Sequence, residues 1–285
     1  MKSKINVFLL TIVFITSIFN VDIVAKDVLA YDVDFSYSSN GIVKVLMNTG
    51  IKIKSKLVIQ SGEKKYTYNV ANGKDYVNYP LQLGNGKYTV KIYENTTGSK
   101  YKNVYSESGD VVVKAANDVF LASTQQVQWF SDDAAIILAK KLIDDAGKKK
   151  IAKTKNNSSK LTEKEKIDVL YSYVVKNVDY DYKKIEELSY DYLPDIDQIL
   201  RDEKGICFDY SVLLAAMLRS QGIPTKLIKG ESTTTDVYHA WNEIYISGEK
   251  RWITVDTTYD AYMYDHQKKY SMEKSKNQYT TDLEF

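Results

Sequence analysis

The sequence has very few cysteines and histidines, and each scarcity excludes a class of site. Cys207 is the only cysteine among 285 residues, so an internal disulfide is excluded. One cysteine and two histidines in different settings, His239 and His266, give no zinc-ligand cluster. No glycine-rich phosphate-binding loop occurs either, so we expect no metal and no cofactor.

The chain also lacks an excess of charge of either sign. Its 39 basic and 37 acidic residues leave a formal net charge of +2. Nucleic-acid binding depends on many contacts between basic side chains and phosphates. We therefore expect no nucleic-acid partner.

Long apolar runs are absent except near the start of the chain. Lys2 and Lys4 precede an apolar run over residues 5–19, and residues 28–30 (VLA) offer a small-residue cleavage site. This pattern predicts a secretory signal peptide over residues 1–30. The alternative is a membrane anchor, but the run is shorter than the roughly 20 apolar residues that a span needs. We expect a secreted, extracellular protein, with the cell wall as a candidate location and no stable membrane insertion after cleavage.

A lone thiol is unusual in an exported protein, because thiols pair in an oxidising medium. Cys207 has no partner in its own chain. It therefore forms an intermolecular link, is buried and inert, or is reactive. The residues around Cys207 indicate which of these three interpretations applies.

Residues 31–117 read as short strands with alternating apolar and polar positions. The stretch IKIKSKLVI from residue 51 is an example, and turn signals such as Asn72-Gly73 separate the runs. This spacing predicts an all-β, immunoglobulin-like sandwich domain. Many of the 24 tyrosines lie here, which we attribute to β-propensity and half-burial. The alternative is a carbohydrate-binding platform.

The pattern changes to helical periodicity after residue 130. Ser131 is a candidate N-cap for a helix that we expect to end at Gly147, followed by a polar loop over residues 148–160. Thr162 and Glu165 have the spacing of a capping box and predict the start of another helix. Strands and helices in separate parts of the chain indicate an α+β fold.

Cys207 falls at the first turn of a further predicted helix. The apolar stripe from Val212 to Met217 continues this helix, which Gly222 and Pro224 end. The free N–H groups and the positive dipole at a helix start favour a thiolate, which is the nucleophilic form of cysteine. This placement favours the reactive interpretation of the thiol.

A predicted β-hairpin supplies a histidine and an acid. Two alternating runs flank residues 247–250, and pairing Ile246 with Arg251 puts His239 opposite Thr258. Asp256 is then a diagonal neighbour of His239 on the same face, within hydrogen-bonding reach. Together with Cys207 these residues supply a nucleophile, a base and an orienting carboxylate.

These segments resemble the transglutaminase-like superfamily, the papain-related group with a Cys-His-Asp triad. GICFDYSVLLAAMLRSQGIPTKLIKG resembles its nucleophile helix, YHAWNEIYI its histidine strand and RWITVDTTYD its aspartate strand. The resemblance covers roughly residues 131–265, and it implies a papain-like catalytic domain over residues 118–285. By this resemblance Cys207 is the nucleophile, His239 the general base and Asp256 its orienting group.

The resemblance implies acyl transfer from protein or peptide amides through a thioester. The backbone N–H of Cys207 is the expected first oxyanion donor, with Tyr180 and Tyr182 as candidates for the second. Trp241 either roofs the site or merely packs on the sheet. The alternatives are a cysteine peptidase or amidase, with cell-wall peptides as candidate substrates, and a non-catalytic binding protein.

Overall fold

The computed structural model describes residues 30–70, 72–154, 160–189 and 191–285. The predicted signal peptide lies, apart from residue 30, outside these ranges. None of the helices within them combines the length and the apolar character needed to cross a bilayer.

Two antiparallel sheets form the N-terminal part. The strands are β1 (Tyr31–Asp34), β2 (Ile42–Met47), β3 (Ser55–Ser61), β4 (Lys64–Val70), β5 (Val77–Pro80), β6 (Gly86–Thr97) and β7 (Lys100–Val111). One sheet has the order β1-β2-β5 and the other β4-β3-β6-β7. Alternation produces these strands because every second side chain, such as Leu57 and Ile59, enters the core. The immunoglobulin-like topology stays a prediction.

The C-terminal part mixes helices and strands. The helices are α1 (Ala134–Thr154), α2 (Glu163–Asn177), α3 (Tyr182–Glu186), α4 (Ile196–Asp202), α5 (Cys207–Ser220) and α6 (Thr257–Asp265). The strands are β8 (Asp179–Tyr180), β9 (Lys204–Gly205), β10 (Thr225–Ser232), β11 (His239–Ile246), β12 (Arg251–Val255), β13 (Glu273–Lys274) and β14 (Tyr279–Glu284). A five-stranded antiparallel sheet has the order β13-β12-β11-β10-β14, and β8 pairs in parallel with β9.

Helix α1 differs from its prediction at both ends. It begins at Ala134, and the carboxylate of Asp197 accepts the N–H groups of Ala134 and Ala135 at 3.1 and 3.0 Å. The predicted cap at Ser131 is therefore wrong, because a residue distant in sequence binds the free N–H groups.

The predicted end of α1 at Gly147 is also wrong. The helix continues to Thr154, so the first part of the predicted loop 148–160 is helical, and residues 155–159 lie outside the described residues. Gly147 is buried, and Lys150 beyond it pairs with Glu165 of α2 at 2.8 Å. Packing and this ion pair outweigh the low helix propensity of one glycine. The capping box of Thr162 and Glu165 is confirmed.

Helix α5 lies at the centre of the C-terminal part. It packs against β10 and β11 on one side and against α1, α2, α4 and α6 on others. Its residues from Val212 to Leu218 are fully buried, which is the predicted apolar stripe extended around the whole helix. The helix therefore holds its first residue, Cys207, in a fixed position against the sheet.

The two parts of the chain share one apolar core. The ring of the last residue, Phe285, packs edge-on against Tyr66 and Tyr68 of β4. The buried guanidinium of Arg219 donates to the backbone carbonyls of Ala122, Thr225 and Phe285, each at 2.8 Å. This arginine thus ties the connecting segment, the sheet and the C-terminus together.

Candidate active site

The chain turns sharply just before Cys207. A Cβ atom at Gly205 would lie 2.5 Å from the Cβ of Asp209, so only glycine allows this close approach. The Asp209 carboxylate accepts the N–H of Ile206 at 2.9 Å and thereby caps α5. Cys207 is the first residue of that helix, as predicted, and its side chain is half-buried.

Asp209 is completely buried, and its charge is compensated. Lys184 of α3 donates to it at 2.7 Å and the hydroxyl of Tyr192 at 2.5 Å. Its carboxylate therefore fixes the segment before α5 as well as the helix start. A buried carboxylate with an ammonium partner opposes a nearby thiolate much less than a free one.

The hairpin that carries His239 has the predicted register. Ile246 pairs with Arg251, and the ladder continues to Asn242 and Val255. It ends there, so the predicted pairing of His239 with Thr258 is wrong: His239 lies opposite Gly230 of β10.

Asp256 lies beyond the end of β12. Its side chain accepts the N–H of Tyr259 at 3.0 Å and caps α6, so Thr258 is helical. The strand prediction extended too far because Asp256 is an N-cap residue, which favours starting a helix over continuing a ladder.

His239 and Asp256 nevertheless form the predicted hydrogen bond. Nε2 of His239 lies 2.9 Å from Oδ2 of Asp256, and both side chains are buried. Interactions with Cys207 also raise the pKa of the imidazole, so the sulfur and the ring are neighbours. Since Asp256 occupies Nε2, Nδ1 is the nitrogen that is free to face the sulfur.

The electrostatics of this group favour a protonated imidazole. Burial lowers the pKa of His239, but the hydrogen bonds and charges of Asp256 and Cys207 outweigh burial and raise it to about 10. At neutral pH the ring is therefore a cation between two potential anions.

Tyr279 is a further member of this group that sequence reasoning missed. Its hydroxyl donates to Oδ2 of Asp256 at 3.0 Å, and burial beside that carboxylate raises the pKa of Tyr279, which keeps the proton on the phenol. Tyr279 begins β14, which pairs with β10 at Ser232. No local pattern in the sequence indicates this contact.

A cleft of about 640 Å³ opens beside His239, and we call it the tyrosine cleft. Its wall includes His239, Asp179, Asp265 and five tyrosines, Tyr180, Tyr182, Tyr210, Tyr259 and Tyr262. The wall contains no lysine and no arginine. The cleft is therefore aromatic and carries negative charge.

The two tyrosines proposed as oxyanion donors lie in this cleft. Tyr180 pairs with Gly205 in the short parallel sheet, and its ring packs edge-on against Tyr182 at 4.9 Å. Burial and the charge of Cys207 raise the pKa of Tyr180 to about 12. Tyr182 is mostly exposed.

Trp241 packs within the sheet instead of lining the cleft. It is 1% exposed, and its ring lies 6.2 Å from that of His239 and 5.1 Å from that of Tyr279. Trp241 therefore packs beside the His239 ring. The other histidine, His266, is exposed at the edge of the tyrosine cleft, with Nδ1 2.8 Å from the carbonyl of Tyr262.

Within the described ranges, no group of three or more His, Cys, Asp or Glu side chains is arranged to hold a metal ion.

Fold and site together define a mixed α/β protein in which a thiol, an imidazole and a carboxylate meet at the start of a buried helix. Residues 149–257 match the family model of the transglutaminase-like superfamily, and this segment contains Cys207, His239 and Asp256. The predicted resemblance is confirmed: this segment of the chain is similar to the transglutaminase-like superfamily.

Individual relatives are distant. The UPF0252 protein MJ1282 of Methanocaldococcus jannaschii is 29% identical over 144 residues, which are 46% of this chain and 39% of that protein. The chain thus matches less than half the length of this curated relative.

Solved structures show only weak similarity. LapG of Legionella pneumophila aligns with 52% of this chain and 72% of its own, at 16% identity and a TM-score of 0.37. The periplasmic domain of TgpA from Pseudomonas aeruginosa aligns with 81% of this chain and 94% of its own, at 12% identity and a TM-score of 0.35.

Proposed function

We propose that the protein is an enzyme that transfers acyl groups from protein or peptide amides through a thioester on Cys207. The observation that carries this proposal is the position of His239, whose Nε2 lies 2.9 Å from Oδ2 of Asp256 and whose pKa is also raised by its interactions with Cys207. A nucleophile, a proton carrier and an orienting carboxylate in this order are the requirements of nucleophilic catalysis.

The first half of the reaction forms the thioester. The Cys207 thiolate attacks the amide carbonyl, and the His239 imidazolium gives its proton to the leaving nitrogen as the C–N bond breaks. Ammonia or an amine departs, and the neutral imidazole remains hydrogen-bonded to Asp256. Tyr279 helps to hold that carboxylate in place for this step.

The tetrahedral intermediate carries an oxyanion that needs hydrogen-bond donors. The N–H of Cys207 is in the first turn of α5, where no partner within the helix is available. Tyr180 keeps its proton because its pKa is raised, so its hydroxyl suits the role of second donor.

In the second half of the reaction, neutral His239 removes a proton from the acceptor as the acceptor attacks the thioester. An amine gives an isopeptide cross-link, and water gives deamidation or peptide hydrolysis. The tyrosine cleft adjoins His239, and its acidic, aromatic wall suits a cationic amine. We therefore propose transglutaminase-type transfer as the main reaction and peptidase or amidase activity as the alternative.

The test is a product analysis by mass spectrometry. Casein is incubated with the enzyme, with and without a dansylated primary amine, and the peptides are searched for amine adducts, deamidated glutamines and new termini. We expect adducts that disappear with Cys207→Ala and with iodoacetamide-treated enzyme. New peptide termini that form equally with and without the amine would favour the peptidase. The absence of any product would contradict the proposal.

We further propose that the enzyme works outside the cell. The support is the composition of residues 1–30, which is typical of a cleaved export signal. Cell fractionation of the full chain and of a variant without residues 1–30 tests this. Equal retention of both inside the cell would contradict it.

A further inference from the structure

A second cleft, of about 450 Å³, lies between the two parts of the chain, and we call it the lysine cleft. Strand β4 contributes Tyr68 and Asn69 to its wall, and the C-terminal part contributes Lys229, Tyr238 and Phe285. It is separate from the tyrosine cleft, with which it shares no wall residue.

Lys229 brings a positive charge into this cleft without an acidic partner. Its ammonium lies 3.6 Å from the ring centre of Phe208 and 3.2 Å from Oε1 of Gln126. In the part of the chain that the structure describes, no carboxylate is within ion-pair distance of it. Lys226, on the same strand, pairs with Glu284 at 2.8 Å and Glu243 at 3.6 Å.

An ammonium that is partly removed from water is stabilised by a compensating anion. Burial lowers the pKa of Lys229 to about 8, opposed by the charge of Cys207, so most molecules carry the charge at neutral pH. The aromatic ring and one amide oxygen compensate it in part. A carboxylate entering the cleft would complete the compensation.

The lysine cleft lies close to the proposed thiol–imidazole pair, although neither Cys207 nor His239 belongs to its wall. Phe208, which stacks against the ammonium, follows Cys207, and Tyr238 in the cleft wall precedes His239. Lys229 itself pairs across the ladder with Ala240. The charge of Cys207 also acts on the Lys229 ammonium, so a carboxylate bound to Lys229 lies near the start of α5, on a different wall from the tyrosine cleft.

We propose that the lysine cleft binds a carboxylate group of the substrate through Lys229, next to the acyl group that Cys207 attacks. This inference rests on the proposed function and narrows its substrates to acidic peptides. Its chemical basis is the difference in charge between the two clefts: the wall of the tyrosine cleft has two aspartates and no lysine, and the wall of the lysine cleft has Lys56 and Lys229 against one carboxylate, that of Asp191.

Matched alkylating agents test the inference directly. Cys207 is the only thiol, so the rates of alkylation by anionic iodoacetate and neutral iodoacetamide both report on this site. We take the rate with iodoacetate divided by the rate with iodoacetamide. We expect this ratio, divided by the same ratio for free N-acetylcysteine, to exceed one. Lys229→Met should reduce the ratio on the order of fivefold, because one close unit charge is removed. Lys229→Arg, which retains the charge, should keep it.

Lys226→Met is the matched control, because it removes a lysine whose charge is already compensated; the ratio should stay unchanged. Protection from iodoacetamide by the α-amides of N-acetylglutamate and N-acetylglutamine adds a second readout. Stronger protection by the glutamate derivative, lost in Lys229→Met, is the expected result. A normalised wild-type ratio of one or less, or equal protection by both compounds, would overturn the inference.

These measurements need no turnover. A chain without acyl-transfer activity can still show carboxylate preference, and an active enzyme can lack it. If Lys229→Met fails to fold, as judged by circular dichroism, the wild-type ratio and Lys229→Arg still decide the outcome.

Discussion

The two parts of the molecule bury very different kinds of side chain. Among the described residues, the buried polar groups before residue 130 are Ser55 and Thr124, and every buried charged or ionisable acid, arginine or histidine lies between residues 209 and 260. The N-terminal core instead uses aliphatic side chains and tyrosines. Burying charge is costly unless it is paired and hydrogen-bonded.

Under the proposed function, this difference separates a supporting role from a chemical one. The N-terminal sheets bury aliphatic side chains and tyrosines, which stabilise a fold. The C-terminal part instead holds Asp209, His239 and Asp256 out of water in a fixed arrangement. Sites that violate the general rules of burial are expected where function requires it. Substitutions in the two parts should therefore have different consequences.

The largest expected effect is on catalysis, from His239→Gln. Removing the proton carrier should lower the rate of acyl transfer by about 10³- to 10⁴-fold, with the fold retained in circular dichroism. Single-turnover assays with an acyl donor measure this loss. A variant within tenfold of the wild-type rate would contradict the assigned role.

The same substitution should change how stability depends on pH. The pKa of His239 is raised from 6.5 to about 10 on folding, so its stabilising contribution is complete below about pH 6.5 and is lost as pH rises through 10. Lys229, whose pKa is lowered, gives the opposite slope above about pH 8. The difference between wild type and His239→Gln in urea unfolding should therefore shrink from pH 7 to 10.

Much of this site could be predicted from sequence because its signals are local. Glycine before Cys207, the apolar stripe after it and the hairpin around residues 247–250 each specify an element within a few residues. The register that they imply is correct up to Val255. The identity of the three central residues followed from those elements and from the resemblance.

The remaining features arise from contacts between distant segments. Tyr279 reaches Asp256 only because β14 pairs with β10, and Asp197 caps α1 only because α4 packs beside it. Lys229 lies in a cleft that exists only where the two parts of the chain meet. Alternation and helical periodicity report which face is buried, not which distant group lies against it.

Arg219→Met should have the next largest effect, on stability. It leaves three backbone carbonyls without their donor, so we expect a loss of about 3–5 kcal/mol in the free energy of unfolding. Arg251→Met is the matched control, since that arginine is exposed and its loss should be far smaller. Equal losses in both variants would show that burial of Arg219 contributes nothing.

Matched isoleucine-to-alanine substitutions, which leave a cavity in each core, compare the two parts of the chain directly. Ile92 in β6 and Ile244 in β11 are both fully buried, and each change to alanine should cost about 3 kcal/mol of unfolding free energy. Only Ile244→Ala should also lower the rate per folded molecule, because β11 carries His239. A rate that falls equally in Ile92→Ala would mean that the N-terminal core positions the site too.

Tyr279→Phe should have the smallest effect of the series. The substitution removes one hydrogen bond to Asp256 and keeps the ring against Trp241, so the free energy of unfolding should fall by about 1 kcal/mol. Because Asp256 then has one donor fewer, its carboxylate attracts the imidazolium more strongly, so the pKa of His239 should rise and the alkaline limb of the kcat–pH profile should move to higher pH with KM unchanged. Tyr238→Phe, which removes an exposed bond to Asp282, is the control and should leave this limb in place. A shift of the same size in both variants would mean that the hydroxyl of Tyr279 stabilises the sheet without positioning Asp256.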